Sequence, residues 1–186
     1  MTRIISGTAG GRSLRTPPGS GTRPTSDRVR EAIFSALQSR DALAGSRVVD
    51  LYAGSGALGL EAVSRGSESV LLVETDARAV SVIRDNIAAL GLTAAQVTRQ
   101  SVLSVVSAPP AGGAVSLALL DPPYSLGEDD LALVLQHLVD RWLDAEALVV
   151  VERSTRSPEP SWPDGLDRVG KGRRYGETTV WFAETR

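Results

Sequence analysis

A Rossmann-like α/β fold, built on a mostly parallel, doubly wound sheet, follows from three features of this 186-residue sequence. Short apolar runs alternate with stretches of helical periodicity from Arg47 onward, the pattern of successive βαβ units. A glycine-rich turn, Gly54-Ser55-Gly56-Ala57-Leu58-Gly59, joins the first of these runs to the first helical stretch. The last two apolar segments have no helical stretch between them, which predicts an antiparallel C-terminal hairpin.

The elements follow in order. Residues 1–25 predict a basic arm, with 26–186 as the main domain. In the arm, Arg3-Ile4-Ile5-Ser6 and Arg12-Ser13-Leu14-Arg15 flank Gly7-Thr8-Ala9-Gly10-Gly11, which reads as a short, loose β-hairpin. Thr16 to Pro24 is rich in Pro, Gly, Ser and Thr and reads as a loop. A helix with Ser26 as N-cap follows, its stripe formed by Val29, Ile33, Phe34 and Leu37. Strands are expected at Val48–Tyr52, Ser69–Glu74, about Ala95–Arg99, Val115–Leu120 and Ala147–Glu152. Helices are expected at Ala57–Arg65, Asp76–Leu90, ended by Gly91, and about Asp129–Trp142. Leu166–Gly170 and Thr178–Phe182 supply the terminal hairpin, and no internal repeat is present.

Composition narrows the chemistry. The chain has no cysteine and one histidine, which excludes disulfides, thiolate metal sites and cysteine nucleophiles and leaves no basis for a histidine metal site. His137 falls off its helix's apolar stripe and reads as a solvated surface residue. No apolar stretch approaches the ~20 residues that span a bilayer, and no secretory pattern opens the chain, so a cytoplasmic protein is expected. Net charge is −2, yet the first 30 residues carry six arginines against Asp27 and stand at +5. Arg3, Arg12, Arg15, Arg23, Arg28 and Arg30 are therefore candidate RNA contacts. A second basic cluster, Arg168, Lys171, Arg173 and Arg174, lies near the C-terminus. The arm has few large apolar residues, so it is expected to be mobile until RNA orders it, and dispensable for the fold of the core.

Two motifs carry the chemistry. The glycine turn fits G-x-G-x-x-G, and Glu74 ends the next strand twenty residues after Gly54, where it can bond two ribose hydroxyls. That pattern serves both NAD and S-adenosylmethionine. Asp50, four residues before Gly54, favours the second, because its carboxylate suits the methionine end and would repel a pyrophosphate. The chain is also short for a dehydrogenase. The cofactor contacts expected are Asp50, Tyr52, Gly54, Ser55, Gly56, Glu74 and Thr75, with Ser101 and Val102 toward the adenine. The second motif, Asp121-Pro122-Pro123-Tyr124, follows the Val115–Leu120 run. Two prolines stiffen the corner. Asp121 and the Pro122 carbonyl can hold the amine of a flat base, and Tyr124 can stack on it.

These motifs resemble those of the RsmD-type ribosomal RNA guanine-N2 methyltransferases of bacteria. The likeness spans nearly the whole chain. It includes Arg3-Ile4-Ile5-Ser6-Gly7 with Gly11-Arg12, and Arg23-Pro24-Thr25-x-Asp27-Arg28-Val29-Arg30-Glu31-Ala32-x-Phe34. It extends through Asp50-Leu51-Tyr52-Ala53-Gly54, with Tyr52 where phenylalanine is usual, to Asp121-Pro122-Pro123-Tyr124 and Tyr175-Gly176-Glu177-Thr178. The resemblance implies a class I methyltransferase fold that uses S-adenosylmethionine. It implies methylation of one guanine of 16S ribosomal RNA, of the guanine-966 type, in an assembled or nearly assembled small subunit; a monomer without metal is expected. Two other readings stay open: a DNA adenine-N6 methyltransferase, and a non-catalytic RNA-binding or ribosome-assembly factor.

Overall fold

The structure, a computed structural model, describes residues 2–17 and 27–186. The expected N-cap Ser26 and most of the loop before it, with Arg23, lie outside these residues. Strands β1 (Thr2–Arg3) and β2 (Ser13–Leu14) pair antiparallel as a separate ribbon. Helix α1 (Asp27–Gln38) leads into β3 (Arg47–Leu51), α2 (Ala57–Ser64), β4 (Ser69–Glu74), α3 (Ala77–Leu90) and β5 (Ala95–Arg99). Next come α4 (Val102–Val106), β6 (Val115–Leu120), α5 (Glu128–His137), β7 (Leu143–Ser154), β8 (Leu166–Arg168), β9 (Arg173–Tyr175) and β10 (Thr178–Thr185). A π-helical turn, Leu138–Trp142, closes α5, and the Trp142 indole N–H donates to the Ala108 carbonyl.

The sheet runs β5-β4-β3-β6-β7-β10-β8, with β9 also paired to β10. Strands β3 to β7 are mutually parallel and β10 is antiparallel to its neighbours. The chain winds outward from β3 through β4 to β5, then restarts at β6 on the other side. β3 and β6 therefore flank the topological switch point, where open α/β sheets bind ligands at their carboxyl edge. Leu51 pairs with Leu120, so the segments leaving both strands emerge level and one strand spacing apart, ~4.8 Å.

Alternation along the strands sends side chains to two cores. Val48, Leu72, Leu117, Leu119 and Val150 pack with α1, α2 and α3. Val49, Leu51, Val73, Leu120 and Val151 pack with α4 and α5.

The N-terminal hairpin departs from expectation. It is docked, and three of its side chains, Ile4, Ala9 and Leu14, belong to the α1–α3 core. The Ile5 and Ser6 amides donate to the buried Glu61 carboxylate at 2.7 and 3.0 Å. Ser64 Oγ accepts from the Ala9 amide and donates to the Ser6 carbonyl. Asn86 and Arg15 exchange two bonds at 3.0 Å. Gly7, at φ 85°, passes so near α2 that a Cβ would lie 1.8 Å from the Ser64 carbonyl oxygen, so only glycine fits this contact. Burial and backbone pairing hold these residues without RNA. Deleting the arm would take two amide donors from the buried Glu61 carboxylate and remove Ile4, Ala9 and Leu14 from the core. His137 is partly exposed, and its Nδ1 lies 2.8 Å from the Arg141 guanidinium in a solvent-exposed contact.

Candidate active site

The loop after β3 is tied to the strand beside it. Glu74 Oε2 accepts the Gly54 amide at 2.8 Å, and Oε1 accepts the Thr75 and Asp76 amides at 2.7 and 2.9 Å. The carboxylate expected to meet a ribose is thereby held at the sheet's carboxyl edge, half-exposed. Tyr52 takes φ 65°, a left-handed conformation that costs a non-glycine residue ~1–2 kcal/mol. Its ring packs toward the α4–α5 core. Burial first, and then Asp130, push its hydroxyl up to about 12, with Arg153 opposing, so the phenol stays neutral.

Asp50 lies beneath this loop, 1% exposed. Its Oδ2 accepts the Gly59 amide at 2.8 Å. A Cβ on Gly59 would stand 3.0 Å from that oxygen and 2.9 Å from Leu72 Cδ2, so glycine is what lets helix and carboxylate meet. Oδ1 is buried with no hydrogen-bond partner. Burial pushes the carboxyl up to about 8, against the Gly59 bond that favours its anion, and Asp121 and Glu74 add to the rise. A buried acceptor with no donor, between two further carboxylates, suits a cationic group.

Ser101 and Val102 follow β5. Ser101 is exposed and caps α4, its Oγ accepting the Ser104 amide at 3.2 Å. Val102 is buried. Serine at this position is already engaged as a cap, although its hydroxyl hydrogen and second lone pair still allow a ligand bond.

Across the switch point, Asp121 leaves β6 with its amide 3.5 Å from the Leu51 carbonyl, and its side chain is half-buried. Pro122 is buried and Pro123 exposed. The Pro123 carbonyl accepts the Leu126 amide at 3.0 Å and closes the turn. Tyr124 is 61% exposed, an aromatic face open to solvent beside a carboxylate. Behind this turn stands Arg153, buried at the end of β7, which donates to the Leu126 carbonyl at 3.0 Å and to the Glu128 carboxylate. Arg153 and Glu128 are not among the residues inferred from the sequence. The available signal was a charged pair, Glu152-Arg153, ending the apolar run Leu148–Val151.

The six arginines expected to meet RNA do not share one fate. Arg30 is wholly buried, donating to the Arg3 carbonyl and Asp27 at 2.7 Å each. It holds the hairpin to α1 and is corrected from RNA contact to internal brace. Arg12 donates to the Ala89 and Leu90 carbonyls, a C-terminal cap on α3. Arg3 and Arg15 are exposed in loose pairs with Asp27 and Asp85, at 3.6 and 3.5 Å. Arg28 is exposed at the start of α1, and Arg23 lies outside the described residues. Among the described residues no helix is long and apolar enough to cross a membrane.

The family model Conserved hypothetical protein 95 matches residues 2–184. A Bacillus subtilis protein, YlbH, is 38% identical over 182 residues, 96% of each chain. The Ribosomal RNA small subunit methyltransferase D of Escherichia coli K12 is 35% identical over 163 residues, covering 87% of this chain and 79% of its own. Among solved structures, a hypothetical protein of Thermus thermophilus superposes with a TM-score of 0.81 at 32% identity, covering 98% of both chains. With the glycine loop and Asp121-Pro122-Pro123-Tyr124 at neighbouring strand ends of this fold, the chain belongs to the Conserved hypothetical protein 95 family, the RsmD family.

Proposed function

We propose that this protein transfers a methyl group from S-adenosylmethionine to the exocyclic N2 amine of a guanine in small-subunit ribosomal RNA. The guanine is of the guanine-966 type, presented in an assembled or nearly assembled subunit. One observation carries the reading: the Gly54–Gly59 loop and Asp121–Tyr124 leave adjacent strands at the switch point, level with each other. The names of the Escherichia coli and Haemophilus influenzae relatives, Ribosomal RNA small subunit methyltransferase D, support the RNA class.

The residues present fit the cofactor. Asp50 Oδ1, buried without a partner, would accept from the methionine ammonium, and Glu74 and Thr75 would face the ribose. Tyr52, Ser55 and the loop amides would line the remainder, with Ser101 and Val102 at the adenine. When bound, S-adenosylmethionine supplies an electrophilic methyl on a sulfonium. The chain supplies the rest. Asp121 and the Pro122 carbonyl would accept the amine's two N–H groups, which turns its lone pair out of conjugation with the ring. Fixing that orientation is the main source of rate. Asp121 or solvent takes the proton as nitrogen gains carbon, a contribution of ~10²–10⁴-fold for a positioned base. Tyr124 would stack on the base, which must leave its helix to arrive here. Arg3, Arg15 and Arg28 would meet phosphates.

The test is transfer of labelled methyl to purified small subunits, free ribosomal RNA and DNA. Label in subunit RNA is the expected outcome. Label on DNA would favour the adenine-N6 reading instead. Cofactor binding with no transfer to any of the three would favour the assembly factor.

A further inference from the structure

The second basic cluster is spent by neither the glycine loop nor the Asp121 turn, and strand register fixes where it lies. Arg173 pairs with Val180, and Val180 with Glu152. Leu120 pairs with Val151, so Asp121 stands in the same row as Glu152. Arg173 is therefore level with Asp121 and three strands away, roughly 14 Å at ~4.8 Å per strand. It lines the face packed by α1. There a cleft of about 90 Å³ opens, with Arg40 reaching in after α1, Lys171 and Arg173 from the hairpin, and Val169 and Phe182 as its apolar floor. Small-molecule sites run from ~300 Å³, so this cleft suits one charged group carried on a larger partner.

The cluster divides by what its charges already meet. Arg168 pairs with Glu159 at 2.7 Å, and Arg174 donates to the Thr155 carbonyl at 3.2 Å. Lys171 and Arg173 are exposed and make no ion pair among the described residues. Among the described residues Arg40 pairs only with Glu184, at 4.0 Å and in solvent, a separation worth little. Three cations thus converge on one cleft, with their charge nearly uncompensated, on a flank that begins level with the methyl-acceptor site.

We propose that Arg40, Lys171 and Arg173 bind the phosphodiester backbone of ribosomal RNA, on nucleotides flanking the one presented to Asp121. The proposal rests on the RNA reading above. Phosphate contacts of this kind position a substrate without reading its sequence. They therefore affect capture and salt dependence, while the chemistry at Asp121 is unchanged.

The experiment compares the full-length protein with the triple variant Arg40→Gln, Lys171→Gln, Arg173→Gln. It measures methylation of purified small subunits across a salt series and S-adenosylmethionine affinity by calorimetry. The variant should show a KM for subunits raised about tenfold or more, with kcat and cofactor affinity within about twofold. The slope of log(kcat/KM) against log salt should become shallower by about two to three, because each phosphate contact contributes ~0.7–0.9. Glu184→Gln, which makes the cleft more positive, should leave KM unchanged or lower. A triple variant that binds cofactor and keeps the wild-type KM and slope overturns the proposal. If the wild-type protein fails to methylate subunits, the RNA-methylation reading has failed, and the cleft is judged separately by binding of a labelled RNA hairpin over the same salt series. Weaker, less salt-dependent binding by the triple variant then supports the cleft, and equal binding overturns it.

Discussion

On the β3–β4 side of the switch point, the polar groups are enclosed before any ligand arrives: Asp50 is almost wholly buried, and Glu74 holds three backbone amides. On the β6–β7 side, Pro123 and Tyr124 stand in solvent, and Asp121 is half-buried. The rigidity there comes from two prolines and from Arg153 bracing the turn from behind. The difference matches two kinds of ligand. A small molecule can be surrounded, and the β3–β4 side offers it satisfied backbone and one buried acceptor without a partner, Asp50 Oδ1. A base that arrives attached to a large RNA needs an open platform. Substitutions on the first side should therefore alter affinity for the cofactor, and those on the second should alter the rate.

The largest expected effect lies on the open side. Asp121→Ala should lower kcat for subunit methylation by about 10³-fold, within the range of a positioned base, and leave cofactor affinity within about twofold by calorimetry. Near wild-type turnover in a folded variant would remove Asp121 from the chemistry. On the enclosed side, Glu74→Ala removes the proposed ribose acceptor and also releases the Gly54, Thr75 and Asp76 amides, so cofactor binding should weaken by ~1–3 kcal/mol. Calorimetry with NAD and S-adenosylmethionine in parallel checks both the loss and the choice of cofactor.

The enclosed side should also titrate. Asp50 is pushed up to about 8, above its ordinary 3.8. A raised carboxylate holds a proton in the folded state that the unfolded chain releases, so stability of the ligand-free protein falls as pH rises from about 4 to about 8. A cationic ligand needs the anion, so its affinity should climb roughly tenfold per pH unit below 8 and level off above. Asp50→Asn should bind more weakly with a flat profile. A flat profile in the wild type would detach Asp50 from the methionine ammonium. The smallest effect is expected at Tyr124: Tyr124→Phe should keep activity within about twofold, whereas Tyr124→Ala should lose a stack worth ~1–3 kcal/mol in kcat/KM.

Regular, apolar segments were legible in the sequence. β3, β4, β6 and α3 follow directly from apolar runs and 3.6-residue spacing, and the glycine loop sits where strand and helix patterns meet. α4, only five residues from Val102 to Val106, is too short to show a helical period, and β9 is three charged or aromatic residues whose partner is β10. The N-terminal hairpin misleads for a physical reason. Its few large side chains suggest mobility, but its backbone amides dock on the Glu61 carboxylate, and its Ile4, Ala9 and Leu14 complete a core assembled from distant segments. Such docking has no local signature. Arg30 does carry one: it sits three and four residues before Ile33 and Phe34, on α1's buried stripe. Its basic charge suggests RNA, but its position on the stripe already argues for a partner inside.

The identity of the modified nucleoside decides whether Asp121 presents a guanine N2 amine to the methyl donor. Purified small subunits are incubated with the protein and labelled S-adenosylmethionine, the RNA is digested to nucleosides, and the label is assigned by chromatography and mass. Label is expected in N2-methylguanosine alone, and at a rate lower by about 10³-fold with Asp121→Ala. Label in N6-methyladenosine, or in another position of guanosine, would contradict the guanine-N2 reading.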